Sequence, residues 1–181
     1  MQELSRSNFG IVIAFLLPGL ISLVGLIPYS ATIRNWIAGN PATQASVGGF
    51  LFATLGAFFL GLVCSTVRWL VLDWIHHRTG VRPPRRDFRR LQANLGAYRM
   101  LEENHYQYYQ FYGNSLVAII SAYLGHRLQM ASSTWIYPDL AAATVAMLFF
   151  LGSRDTLRKY YRRIEELMSE SGSFILHSRS P

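Results

Sequence analysis

The stretch "FGIVIAFLLPGLISLVGLI", Phe9 to Ile27, carries no charge at all. About 20 such residues, wound as a helix, cross the roughly 30 Å of hydrocarbon in a bilayer. Inside hydrocarbon no water meets the backbone, so only helices and closed barrels can span it. Three more runs have the same character. Phe50 to Val67 is uncharged, and its helix is expected to continue through "RWLVLDWIHH" beyond the bilayer. Tyr108 to Leu124 reaches full length if its tyrosine-rich start lies in the interface. Trp135 to Gly152 is shorter, with Pro138 where the first turn of a helix tolerates it.

The sequence therefore predicts an all-α integral membrane protein. Four transmembrane helices are expected near 9–27, 50–69, 108–125 and 135–152. A middle segment, 76–107, and a C-terminal amphipathic helix and tail, 153–181, extend outside the membrane. Composition agrees. Hydrophobic residues make up 51% and charged ones 15%, well short of the usual quarter charged. A cleaved signal peptide is the rival reading of the first run, but that run exceeds the usual 7–15 apolar residues, and "PYSAT" is a poor cleavage site.

Lys and Arg set the orientation. The N-terminal tail, the middle segment from Arg68 and the C-terminal tail hold 1, 8 and 6, a total of 15. The other two loops hold Arg34 and Arg127, a total of 2. Both termini and the middle segment are thus expected in the cytoplasm of a bacterial cell, with the chain multi-pass in the inner membrane. The net charge of +7 follows from that rule. It covers "RPPRRDFRR" too, so nucleic acid is not the expected partner. The single cysteine, Cys64, reads as a small buried apolar residue.

Helical spacing picks out two stripes outside the spans. Phe88, Leu91, Leu95, Tyr98 and Leu101 or Glu102 mark a helix from Asp87 to Gln110 that runs into the third span. Leu157, Tyr161, Ile164 and Met168 mark another after the fourth, amid "RKYYRR". Its basic face suits either anionic headgroups or a cytosolic protein partner.

Chemistry is concentrated in "ENHYQYYQFYGN". On a regular helix Glu102, His105, Tyr109 and Tyr112 share one face. Asp73, His76 and His77 lie at the same membrane depth on the second span. Two carboxylates and several imidazoles would suit Zn, Fe or Mn, as in helical di-metal sites with Glu-x-x-His spacing. A structural polar network gives the same pattern, and the aromatic run reads equally as an interfacial collar.

Packing signals are clearer. Gly49, Ala53, Ala57, Gly61 and Ser65 place a small residue at every fourth position of the second span. Such spacing lets helices approach closely and is expected to serve a homo-oligomer or a neighbouring span. Pro18-Gly19 should bend the first span. No acid or lysine lies mid-span, which argues against a proton-coupled transporter. The function expected is a homo-oligomeric ion channel, lined or gated by Asn114, Ser121 and Arg68, such as a gated effector in antiviral defence. The alternatives are a membrane anchor or sensor for a cytosolic partner, and an interfacial metal enzyme. No cofactor is expected beyond the divalent metal that the last would require.

Overall fold

The computed structural model describes residues 9–10, 12–38, 47–84, 92, 95–129 and 136–177, with side chains for all but 38, 103–104 and 169–177. Among the described residues all regular structure is helical. Helix α1, Val12–Gly25, opens with a π-helical turn, Val12–Leu16, and continues as Leu17–Gly25. Pro18 accounts for the irregular start. It brings no N–H, and its ring crowds the carbonyl four residues back, so the chain widens before it. A 3-10 turn at Ile27–Tyr29 leads to the short helix α2, Ala31–Ala38.

Helix α3, Val47–Arg78, contains a second π-helical turn at Arg68–Leu72. Helix α4 comprises Leu95–Leu101, a third such turn at Glu102–Tyr106, and Gln107–Gln129. The helix at Leu95–Leu101 thus does run on into the tyrosine-rich helix. Residues 87–91 and 93–94 of the expected stripe lie outside the described residues, and Leu95 is exposed. Helix α5, Ile136–His177, is one unbroken rod.

Two of these helices, α3 and the stretch Ile136–Met168 of α5, are long and apolar enough to cross a membrane. At 1.5 Å per residue each measures about 50 Å, more than the roughly 30 Å of hydrocarbon in a bilayer. Only 17% and 6% of their apolar windows are buried. The interior helix of a water-soluble protein would be covered. Here Phe50, Leu55, Phe59, Leu140 and Leu148 all point outward. Helix α1 is apolar but shorter.

Helix α1 packs between α3 and α4, and α5 packs on α4. The first contact is backbone on backbone. A Cβ at Gly19 would stand 1.6 Å from the Ala57 carbonyl oxygen, and one at Gly61 would stand 2.0 Å from that of Phe15. On α4, a Cβ at Gly25 would stand 2.5 Å from that of Ala122. The small-residue stripe therefore has a partner inside the chain. Ala57 and Gly61 are buried under α1, while Gly49, Ala53 and Ser65 are half-buried. Dispersion, which falls off steeply with distance, is what such contact gains.

A second core lies at the arginine-rich end. Val81, Tyr109, Leu157, Tyr160, Ile164 and Met168 are buried together, with Tyr98, Leu101, Tyr106 and Tyr161 around them. Three of the four residues expected on the α5 stripe are inside. Tyr160 is buried where Tyr161 was expected, because Tyr161 turns aside to stack on His77 at 6.3 Å.

Gly61→Leu should cost about 3 kcal/mol or more, since its side chain meets α1 backbone and cannot rotate away. Ser65→Ala, on the same stripe, should change stability little. Thermal unfolding in mild detergent, followed by circular dichroism, separates the two.

Candidate functional site

The polar centre of the molecule begins with a deficit. In a regular helix the N–H of residue 18 bonds the carbonyl of residue 14. Residue 18 is proline, so that carbonyl loses its usual donor. Asn114 of α4 supplies one: its Nδ2 donates to the Ala14 oxygen at 2.7 Å. The same side chain accepts at Oδ1 from Arg68 Nε of α3, at 3.0 Å. Arg68 Nη1 donates to Asp73 Oδ1 at 3.2 Å. Tyr109 of α4 donates its hydroxyl to that carboxylate oxygen, and its ring lies 4.7 Å below the Arg68 guanidinium carbon. One chain of contacts thus ties three helices together.

Two local features make it fit. Residues five apart diverge on a regular helix. The π-helical turn closes with the Asp73 N–H donating to the Arg68 carbonyl, five residues back, so the two side chains stand one above the other. Gly113 provides the space: a Cβ there would stand 2.5 Å from Arg68 Cδ. Arg68, Tyr109, Asn114 and neighbouring Ser115 are all buried, and Arg68 retains only 3% of its exposure. It does not reach outward to water.

Charge decides what this is worth. Neutral hydrogen bonds between membrane helices average about 0.6 kcal/mol. Leaving a buried cation without its partner costs about 3–5 kcal/mol. The Arg68–Asp73 pair therefore dominates, and Asn114 and Tyr109 hold it in register.

His76 is fully buried next to this group. Its Nε2 shares a hydrogen bond with Ser153 Oγ of α5 at 3.1 Å, and its ring lies 5.2 Å from that of Phe150. His77 is exposed and bonded to the Tyr161 hydroxyl at 3.2 Å. Glu102 is exposed and His105 half-buried. The face expected to join Glu102 to His105, Tyr109 and Tyr112 assumed a regular helix. The π-helical turn at Glu102–Tyr106 inserts the equivalent of one residue and rotates Glu102 off it. Among the described residues, no three His, Cys, Asp or Glu side chains come close enough to hold a metal ion.

The aromatic run is more than a collar. Tyr106 and Tyr109 enter the second core, while Phe111 and Tyr112 pack on Phe149 of α5 at 5.8 and 5.7 Å. Tyr108 is exposed. Ser121, the third residue expected to line a pore, is also exposed, and its hydroxyl donates to the Ala118 carbonyl of its own helix at 3.0 Å. It borders a cavity of about 300 Å³ between α1, α3 and α4, along with Ser22, Tyr29 and Cys64. Towards the far end of α4, Tyr123 donates to Asp139 of α5, and Arg127 pairs with that carboxylate at 3.4 Å. No family model, curated protein or solved structure matches this chain.

Asn114→Leu should destabilise the bundle by about 1–3 kcal/mol, because it strands the Ala14 carbonyl and an Arg68 donor. Asp73→Ala should cost about 3–5 kcal/mol. Pro18→Ala restores a backbone donor, so the Asn114→Leu penalty should shrink in that background; a double-mutant cycle in detergent measures the coupling. Burial, then the charges of Arg163 and Lys159, hold the His105 imidazole below its ordinary pKa. Its folded state favours the neutral ring. Its contribution is complete above about pH 6.5 and declines as pH falls below that value. Hydrogen exchange in the second core should speed up on mild acidification, and less so in His105→Asn.

Proposed function

We propose that this chain is a four-span inner-membrane protein, with both of its ends cytoplasmic, that acts as an anchor or sensor for a cytosolic partner. The exposed apolar faces of α3 and α5 and the Lys and Arg count of 15 against 2 support the membrane placement. The observation that carries the functional reading is where the polar side chains go. Asn114 and Arg68, which a pore would need along a water path, bond each other inside the monomer. The half of α5 beyond Gly152 instead buries one side against Tyr109 and Val81. Its other side presents Arg158, Lys159, Arg162, Arg163, Glu165 and Glu166. That is a rigid, charged platform fixed to a membrane bundle, and it suits reversible docking.

A homo-oligomeric channel, including a gated effector of antiviral defence, is the second reading. The cavity beside Ser121 and the long outward apolar faces that a ring of copies would cover support it. The interfacial metal enzyme needs Glu102 and His105 beside Asp73 and His76, and gains no support from their arrangement.

The double variant Arg158→Glu, Arg162→Glu alters only exposed positions, so its stability should stay within about 0.5 kcal/mol and its resistance to alkaline extraction should persist. Pull-down from native membranes should then lose the partner recovered with the unaltered chain. Recovery of the protein alone in both cases, with ion flux in reconstituted liposomes, would favour the channel instead.

A further inference from the structure

We propose that Trp74 and Arg78 form a binding surface for the headgroup of an anionic phospholipid at the cytoplasmic side. This rests on the membrane-spanning reading of α3. Both residues lie just beyond the π-helical turn that aligns Arg68 with Asp73. The Trp74 indole is 55% exposed, although tryptophan is among the side chains most costly to leave in water. At a membrane interface the cost disappears, because an indole has an apolar body and a polar N–H.

The guanidinium of Arg78 lies over the Trp74 ring, 4.4 Å from its centroid. That contact holds an exposed cation in one place, so less side-chain entropy is lost when it meets a phosphate. Spacing fits as well. Arg78 stands one turn beyond Trp74, about 6 Å along the axis. The headgroup layer on each side of a bilayer is about 5–8 Å thick. With Trp74 at the hydrocarbon boundary, Arg78 reaches the phosphates. The turn that follows is fixed too: Arg154 of α5 donates to the Thr79 carbonyl at 2.7 Å and to its hydroxyl at 3.0 Å.

The test uses the full chain with Trp36, Trp69 and Trp135 changed to Phe, which leaves Trp74 as the reporter. It is reconstituted in phosphatidylcholine vesicles containing a minor fraction of brominated lipid, either phosphatidylglycerol or phosphatidylcholine. Brominated phosphatidylglycerol should quench Trp74 as though enriched about fivefold around it. Arg78→Gln should abolish that preference, Arg78→Lys should keep part of it, and inorganic phosphate should not compete. Equal quenching by both lipids, or a preference unchanged in Arg78→Gln, would overturn the proposal and leave the membrane placement intact. No quenching by either lipid would overturn the placement of α3 itself.

Discussion

A cation without water must be answered by protein, and Arg68 is answered from three directions. Asp73 neutralises it, Asn114 takes its Nε proton, and the Tyr109 ring lies below it. The remaining geometry can be read as what this arrangement demands. Gly113 gives up its side chain to make room, and α3 departs from regular winding so that Asp73 comes round. Asn114, held by Arg68 on one side, has its amide left for α1. Low dielectric makes each of these bonds strong when complete and costly when broken.

Around this centre, helix contacts rely on small residues and rings. Gly19, Gly61 and Gly25 let α1 sit almost backbone to backbone on two neighbours. Where α4 meets α5, aromatic rings do the work: Tyr112 leans on Gly152, and Phe111, Tyr106 and Tyr109 interlock with Phe149 and Tyr160. The first mode brings axes together and the second keeps them apart. α1 is therefore a wedge inside the bundle, whereas α5 is a rod laid on its flank and free to project beyond it.

Apolar periodicity made the helical architecture legible, because hydrocarbon length and helical rise are fixed quantities. It also marked Leu157, Ile164 and Met168 as core. What it missed has a common cause. Reading faces at a constant angle per residue fails at each π-helical turn, and all three carry residues of the candidate site. So Glu102 and His105 looked coplanar with Tyr109, while Arg68 and Asp73 looked unrelated. Ala57 and Gly61 signalled close contact correctly, but a small-residue stripe does not name its partner, and that partner is α1. Pro18 and Asn114 were each noticed alone. The bond that links them, Asn114 to the Ala14 carbonyl, spans 100 residues, and one missing N–H was the clue available.

That separation has a temporal side. A ribosome adding about 5–20 residues per second takes some 5–20 s to travel from residue 14 to residue 114. Throughout that interval α1 has left the ribosome with a carbonyl that its own backbone cannot fully serve and a glycine face with no neighbour. Helix α3 emerges midway and can cover Gly19, but Gly25 waits for Ala122 of α4, and the arginine of α3 waits for the asparagine. The nascent chain is an incomplete bundle until α4 arrives, and until then these polar groups lack their partners within the chain. Assembly is therefore expected to finish in one late step, when Asn114 enters and satisfies both neighbours together.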